Sequence, residues 1–229
     1  MSKLGSLHFT KPTGPGHSAT VIFFHGSGSS GANMKEWVRI MHKNFSFPYI
    51  KVLYPTAPLQ PYTPCNGEKS NVWFDRFDIS PMVPEKIESI AEIETEVKRL
   101  IKNENDVGIP SSRIIVGGFS MGGSLSYHTA FKWDTNLAGV FVMSSFLNHY
   151  STVYQELQND VRMSVPPLLQ IHGESDYLVP FNWGQTTFNR LKELGVQGEF
   201  YAMGRLGHSI NRRGMTIVKE WIEKQLPEK

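Results

Sequence analysis

The amino-acid sequence predicts an α/β fold with a mostly parallel central sheet and helices on both of its faces. Short apolar runs rich in β-forming residues alternate with segments of helical periodicity, and such alternation gives parallel strands joined by right-handed crossovers. The chain has 229 residues, 40% of them hydrophobic and 12% aromatic, which is enough to bury one large core. We therefore expect a single domain over residues 1–229, with its core at about 19–226.

The strand prediction begins at Ala19–Phe24, an apolar run typical of a strand that is buried on both faces. Residues that favour a helix follow from Asn33 to Met41. Five further runs are predicted to be buried strands: Ile50–Tyr54, Arg113–Gly117, Ala138–Met143, Pro167–Ile171 and Gly198–Ala202. Ligands of such a sheet bind at the carboxyl ends of its strands, so we expect functional residues just after these runs.

The clearest helix is predicted at Glu85–Lys102, with Pro84 at its entrance and Gly108 beyond its end. A final amphipathic helix is predicted around 217–222. The segment Pro55–Pro84 differs from the rest of the chain, because it has repeated prolines and no clear period. A loop of this length usually has a function or is mobile. Since it contains no helical apolar run, we expect no cap domain.

Charge and cysteine content narrow the range of functions. The net charge of +2 at pH 7 is too small to suggest a nucleic-acid or polybasic membrane partner. Cys65 is the only cysteine, which fits a reducing compartment, and we expect it to be buried or without a role. Residues 1–11 lack the apolar run of a signal peptide, and the chain has no stretch long enough for a membrane span. We expect a cytoplasmic protein that does not insert stably into membranes.

The segment Gly118-Phe119-Ser120-Met121-Gly122 matches the nucleophile pattern G-x-S-x-G, in which small residues let the chain turn sharply from a strand into a helix. A predicted strand precedes it, and the residues after it can continue as a helix. The pattern indicates a reactive Ser120. The alternative is a glycine-rich turn without chemistry.

A serine nucleophile needs a histidine to take its proton and a carboxylate to orient that histidine. In this fold the three residues follow the chain order Ser, Asp, His. Asp176 and His208 each follow a predicted strand, so we expect a catalytic triad of Ser120, Asp176 and His208. Glu174 is the competing carboxylate.

Acyl transfer also requires donors for the oxyanion of the tetrahedral intermediate. One is the backbone N–H after the nucleophile, here Met121. The second is predicted in the glycine-rich loop 25–31, where the Ser27 N–H is our candidate. Such a loop can also bind phosphate, but the chain lacks both glycine-rich phosphate patterns there.

The remaining histidines show no metal-binding spacing, and with a single cysteine we expect no structural zinc site. We expect His42, His128 and His149 to be ordinary surface or core side chains. His172 ends a predicted strand beside Asp176, so we expect it to have a structural hydrogen-bonding role.

Four segments occur together in this chain: His25-Gly26-Ser27-Gly28, Tyr54-Pro55-Thr56-Ala57-Pro58, Trp73-Phe74-Asp75 with Gly118-Phe119-Ser120-Met121-Gly122-Gly123, and His172-Gly173-Glu174-Ser175-Asp176. Their combination resembles the acyl-protein thioesterase and lysophospholipase family, most closely its lysophospholipase-like branch, from about Ala19 to Leu226. The resemblance implies a capless α/β-hydrolase that acts on carboxylic esters and thioesters without a cofactor. It also places the triad on Ser120, Asp176 and His208, and the oxyanion donors on Ser27 and Met121.

The chain departs from this family at two positions. The thioesterases proper usually carry Gln and Leu where this chain has Met121 and Ser27, side chains that face the acyl pocket in the family. We therefore expect short or medium acyl esters as substrates, together with S-acylated proteins. The alternatives are a lysophospholipase, a long-chain palmitoyl-protein thioesterase or a peptidase with the same triad, and, outside enzymes, a catalytically silent binding module.

Four large apolar residues are candidates for lining an acyl groove: Trp73, Phe74, Phe146 and Leu178. Side chains of this kind are equally often plain core. We expect the neighbouring Asp75 to fix its loop rather than to take part in catalysis.

Overall fold

A seven-stranded sheet forms the centre of the protein, in a computed structural model that describes residues 3–159 and 164–228. In spatial order the strands are β1 (Leu7–Thr10), β3 (Ile50–Pro55), β2 (Ala19–Phe24), β6 (Ile114–Phe119), β7 (Gly139–Met143), β8 (Leu168–Gly173) and β9 (Gly198–Met203). Strand β1 is antiparallel to β3, and the other neighbours are parallel. The predicted α/β class is therefore confirmed.

Six helices connect and cover these strands: α1 (Gly31–Met41), α2 (Ile87–Asp106), α3 (Met121–His128), α4 (Thr152–Asn159), α5 (Phe181–Glu193) and α6 (Arg212–Gln225). Helices α2 to α5 pack on one face of the sheet, and α1 and α6 pack on the other. Short helical turns at Thr63–Cys65 and Ser111–Arg113, and a π-helical turn at Thr129–Trp133, complete the helical segments described.

Strand β2 shows why the sheet needs helices on both faces. Ile22 and Phe24 lie in one hydrophobic core, whereas Val21 and Phe23 lie in the other. Because successive side chains of a strand point to opposite faces, the unbroken apolar run of β2 requires an apolar layer on each side. All six residues of the strand are buried.

The predicted strands correspond to β2, β3, β6, β7, β8 and β9, with small differences at their ends. Strand β1 was not predicted. It is an edge strand whose residues are exposed or half-buried, so its apolar pattern is weak. Helix α2 begins and ends later than predicted, and the chain leaves it through Gly108 at a φ of 93°. Residues 1, 2, 160–163 and 229, which the single-domain prediction includes, lie outside the described residues.

The segment Pro55–Pro84 is not the irregular loop that we expected. It contains an antiparallel hairpin of β4 (Leu59–Pro61) and β5 (Lys69–Asn71), joined through a single helical turn. No longer helix is described between β3 and α2, in agreement with a fold that has no helical cap. Cys65 lies in the hairpin connection and is exposed.

The parallel strands end at the same edge of the sheet. The segments that follow β2, β6, β8 and β9 carry Ser27, Ser120, Asp176 and His208, respectively. Residues more than 180 positions apart in the chain therefore reach one edge, as expected for a doubly wound sheet.

Candidate functional site

Ser120 occupies a strained turn between β6 and α3. Its backbone has φ 55° and ψ −123°, a positive-φ conformation that is unfavourable for a residue with a side chain. The Ser120 N–H donates to the Met143 carbonyl at 2.9 Å, which fixes the turn to the end of β7. The turn presents the serine hydroxyl at the carboxyl edge of the sheet.

The two glycines of the turn are required by close approach. A Cβ on Gly118 would lie 2.2 Å from the carbonyl carbon of Gly122, and a Cβ on Gly122 would lie 2.3 Å from the Phe24 carbonyl oxygen. Contacts this short do not occur between real side chains and backbone. The two glycines of the pattern G-x-S-x-G are thus required because the first turn of α3 packs closely against Gly118 and against the end of β2.

The structure brings Ser120, His208 and Asp176 into one hydrogen-bonded chain. His208 Nε2 lies 3.0 Å from Ser120 Oγ, and His208 Nδ1 lies 2.8 Å from Asp176 Oδ2. Because a carboxylate only accepts, Nδ1 carries the proton and Nε2 is free to take the serine proton. This is the geometry required of a nucleophile, its general base and the group that orients the base.

Backbone amides hold the carboxylate of Asp176. Its Oδ1 accepts from the N–H groups of Leu178 at 3.0 Å and Val179 at 2.8 Å. Burial alone would raise the pKa of Asp176, but interactions with His172, His208 and the Val179 amide outweigh burial and hold that pKa well below its usual range. Asp176 is therefore ionised and favours the protonated form of His208 that arises during proton transfer.

Glu174 is exposed and has no hydrogen bond to His208. Of the two carboxylates that the sequence left open, Asp176 is the one that reaches the imidazole. The Glu174 carboxylate points instead toward Gly204, where an added Cβ would lie 3.5 Å from it.

His172 stabilises the loop that carries Asp176. Its side chain is completely buried, and its Nε2 donates to the Val179 carbonyl at 2.8 Å while lying 3.5 Å from Asp176 Oδ2. The other histidines that we expected to be ordinary side chains do not reach the triad. One of them, His128, is buried and pairs with Glu85 at 3.1 Å.

The amides of Ser27 and Met121 flank the nucleophile. Ser27 Oγ lies 3.7 Å from Met121 Sδ, and a Cβ on Gly26 would lie 3.2 Å from the Ser120 Cβ. Among the described residues, neither the Ser27 N–H nor the Met121 N–H has a protein acceptor. Both N–H groups are therefore free to donate to a ligand.

His25 fixes the loop that carries Ser27, a role that we did not assign from the sequence. Burial lowers the pKa of His25 from 6.5 to about 4, a shift only partly offset by the Gly26 carbonyl, so the ring is neutral. Its Nδ1 donates to the Gly26 carbonyl at 2.7 Å, and its Nε2 accepts from the Ala57 N–H at 3.0 Å. The position of this histidine directly after an apolar strand was the only sequence signal for the role.

Trp73 does not line an acyl groove, and that prediction needs correction. Its side chain is 1% exposed, and its ring packs against those of Phe24 at 5.1 Å and His25 at 4.8 Å. The indole N–H donates to the His25 carbonyl at 2.7 Å. A buried indole N–H needs a hydrogen-bond partner. Trp73 has that partner in the core, and the bond supports the loop that carries Ser27.

The other three candidates for the groove lie in different surroundings. Phe74 and Phe146 are buried and both contact the guanidinium of Arg76, whereas Leu178 is 43% exposed on the loop of Asp176. Asp75 accepts from the Thr63 N–H at 2.8 Å and pairs with Lys86, contacts that fix its loop. Asp75 has no contact with the triad among the described residues.

Within residues 3–159 and 164–228, no three His, Cys, Asp or Glu side chains are grouped so that they could hold a metal ion. In the same part of the chain, no helix is long and apolar enough to cross a membrane. Two cavities of about 450 and 350 Å³ open elsewhere on the surface, and neither is lined by a member of the triad.

Known proteins are similar to this chain over most of its length. The phospholipase/carboxylesterase family matches residues 8–226. The chain is 48% identical to lysophospholipase-like protein 1 of Mus musculus over 94% of this chain and 90% of that protein. It is 34% identical to acyl-protein thioesterase 1 homolog 1 of Dictyostelium discoideum, over 93% and 92% of the two chains. The crystal structure of Zea mays acyl-protein thioesterase 2 is similar, with a TM-score of 0.84 and 26% identity over 97% of this chain and 99% of that one.

Proposed function

Because the chain belongs to the phospholipase/carboxylesterase family, we propose that it hydrolyses carboxylic esters and thioesters through an acyl-enzyme on Ser120. The observation that carries the proposal is the position of His208, which lies 3.0 Å from Ser120 Oγ and 2.8 Å from Asp176 Oδ2. Relatives named acyl-protein thioesterases support the reaction class. A binding module without catalytic activity would not require these three side chains to be aligned in this way.

In the first half of the reaction, Ser120 Oγ attacks the carbonyl carbon of the substrate while His208 Nε2 takes the serine proton. The negative charge that develops on the carbonyl oxygen is stabilised by the N–H groups of Ser27 and Met121. Asp176 stabilises the imidazolium form of His208. The tetrahedral intermediate then collapses: the bond to the leaving group breaks, and His208 donates its proton to the departing alcohol or thiol.

In the second half, water attacks the acyl carbon and His208 Nε2 takes a proton from that water. Collapse of the second tetrahedral intermediate breaks the bond between the acyl group and Ser120 Oγ, and His208 returns the proton to the serine. The products are a carboxylic acid and free enzyme. The same donors, Ser27 and Met121, serve both intermediates.

Short or medium acyl groups fit this site best. The guanidinium of Arg76 lies over the rings of Phe74 and Phe146, the residues proposed for the groove, and a charged group at that position disfavours a long aliphatic chain. S-acylated proteins remain within the proposal, because the names of two relatives indicate acylated protein substrates. The alternatives are a lysophospholipase and a long-chain palmitoyl-protein thioesterase. We also propose a cytoplasmic location, since a chain with the single cysteine Cys65 suits a reducing compartment.

Labelling with a fluorophosphonate probe tests the proposal, because only an activated serine reacts with it at a useful rate. We expect the native chain to be labelled and to hydrolyse p-nitrophenyl butyrate, and Ser120→Ala to lose both properties while remaining folded. Ser124→Ala is the matched control, because Ser124 is a buried serine one turn further along α3. Near-native turnover in Ser120→Ala would contradict the mechanism, and a native chain that is neither labelled nor active would indicate a binding module.

A further inference from the structure

Arg76 carries a positive charge that no carboxylate neutralises directly. Its guanidinium carbon lies 5.2 Å from the centre of the Phe74 ring and 5.7 Å from that of Phe146. Burial lowers the pKa of Arg76, an effect that Tyr62, Glu85 and Asp75 offset only in part. Among the described residues, no ion pair to Arg76 occurs.

The two acidic residues that act on Arg76 are already engaged elsewhere. The Asp75 carboxylate pairs with Lys86 and accepts from Thr63. The Glu85 carboxylate lies 3.1 Å from His128 and accepts from the Thr152 N–H at 3.0 Å. Arg76 is half-buried, and its guanidinium lies against two aromatic rings without a carboxylate partner in the described part of the chain, an arrangement that suits an anionic ligand.

Two buried donors in this part of the protein lack a hydrogen-bond partner. Arg76 Nε and the Tyr62 hydroxyl are both buried, and neither has a hydrogen-bond partner among the described residues. Tyr62 is 2% exposed, and burial raises the pKa of its hydroxyl, an effect that Arg76 and Ser27 offset in part. Buried polar groups without partners are rare, because each costs free energy unless something binds to it. Two such donors, one of them on a guanidinium, suit an acceptor that carries negative charge.

The position of these donors relative to the triad shows which part of a substrate would meet them. His208 lies on the side of Phe119 and Asp176, with its ring 4.7 Å from that of Phe119. The leaving group departs toward His208, which protonates it. Arg76 contacts the rings of Phe74 and Phe146. Phe74 follows Trp73, which donates to the His25 carbonyl, and Phe146 closely follows Met143, whose carbonyl accepts from the Ser120 N–H. Arg76 therefore lies at the same edge of the sheet, on the side of the loop that carries Ser27. The acyl chain would therefore extend from Ser120 toward Arg76.

We propose that Arg76 and Tyr62 bind a carboxylate at the far end of the acyl group, so that the enzyme prefers monoesters and monothioesters of short dicarboxylic acids. A guanidinium binds a carboxylate through two parallel hydrogen bonds, which are stronger than neutral ones. The rings of Phe74 and Phe146 cover part of the guanidinium surface. The inference rests on the proposed hydrolase function and assigns a substrate class to the same site.

The test compares thioesters of N-acetylcysteamine whose acyl chains have equal length. Adipoyl is matched with hexanoyl and glutaryl with pentanoyl, thiol release is measured, and the rate with Ser120→Ala is subtracted as uncatalysed background. We expect the native chain to have a kcat/KM about ten- to hundredfold higher for the better dicarboxylic substrate than for its neutral match. Arg76→Met should abolish that preference, because kcat/KM should fall far more for the dicarboxylic substrate than for the hexanoyl thioester. Tyr62→Phe should reduce the preference, mainly through KM.

Arg190→Met is the control variant. Arg190 also lies over an aromatic ring, that of Tyr154 at 4.0 Å, but it donates to the His149 carbonyl and so has a partner. We expect this variant to keep the preference for the dicarboxylic substrate. A hexanoyl thioester of 3-mercaptopropionate places the carboxylate on the leaving group instead, and we expect no gain from it.

Several outcomes would overturn the inference. These are a native preference for the neutral acyl groups, an equal loss on both substrates in Arg76→Met, and a gain confined to the anionic leaving group. If Arg76→Met does not fold, Tyr62→Phe and competitive inhibition of the native chain by free adipate, compared with hexanoate, decide the question. Absence of turnover on every thioester would instead refute the proposed hydrolase function, so the two failures are distinguishable.

Discussion

His25 Nε2 accepts a hydrogen bond of 3.0 Å from the Ala57 amide. This bond joins the loop after β2, which carries Ser27, to the residues that follow β3. The bond requires a neutral ring with an unprotonated Nε2. Protonation of Nε2 therefore breaks the contact with Ala57 and places a charge on a buried ring that only the Gly26 carbonyl stabilises.

The free energy of unfolding should decrease as the pH is lowered, because His25 takes up a proton more readily in the unfolded chain. Its pKa is about 4 in the folded protein and about 6.5 in an unfolded chain. The unfolded state thus takes up the proton first, and the contribution of His25 to stability is full above pH 6.5 and lost as the pH falls toward 4. The loss approaches about 3 kcal/mol, at about 1.4 kcal/mol per pH unit.

Urea unfolding at several pH values between 8 and 4 measures this effect, and His25→Gln is the matched variant. The amide of Gln offers one donor and one acceptor but does not titrate. We expect a smaller loss of stability in the variant between pH 6.5 and 4, whatever its stability at pH 8. Equal pH dependence in the two proteins would exclude His25 as the titrating group.

Asp176→Asn should reduce turnover by about 10⁴-fold, as the equivalent change does in serine proteases. Because the Leu178 and Val179 amides hold Oδ1, the side-chain oxygen of Asn would keep that position and its NH₂ would face His208. The imidazole is then held in the wrong tautomer. Glu174→Gln is the control, and we expect near-native kcat because Glu174 is exposed. Losses of similar size in both variants would contradict the assignment of Asp176.

Gly122→Ala should destabilise the fold and abolish activity. The added Cβ would lie 2.3 Å from the Phe24 carbonyl oxygen and 2.6 Å from that of His25, at the end of a central strand that cannot move aside. Overpacking of this kind typically costs about 1–3 kcal/mol or more. Gly16→Ala has open space around its Cβ and should leave the denaturation midpoint almost unchanged. A Gly122→Ala protein of native stability would show that the turn is more adaptable than the contacts imply.

The rate of ester hydrolysis should rise with acyl length only up to short or medium chains. Each buried methylene contributes ~0.8 kcal/mol, or roughly fourfold in kcat/KM, if the gain persists to the transition state. Arg76, over the rings of Phe74 and Phe146, should end that rise. We expect a plateau in kcat/KM across neutral p-nitrophenyl esters measured below the critical micelle concentration. A steady increase through the longest soluble chain would favour a palmitoyl-protein thioesterase.

The sequence by itself was sufficient to predict the six parallel strands of the sheet and the members of the candidate triad. The reason is that these signals are local: the unbroken apolar run Ala19–Phe24 implies a strand buried on both faces, and the two glycines around Ser120 imply a sharp turn. Asp176 and His208 could be predicted because parallel strands bring the residues that follow them to one edge. The chain order of the three residues needed no knowledge of distances.

Tertiary structure alone showed which side chains lie in the core and which face the site. Trp73 and Phe74 are neighbours in sequence, yet Trp73 donates to the His25 carbonyl while Phe74 contacts Arg76. Arg76 contacts side chains from two segments about 70 residues apart: Phe146 follows β7, and Phe74 precedes α2. A pattern within a strand or helix can report burial, but the partner of a charged or aromatic side chain depends on how distant segments pack.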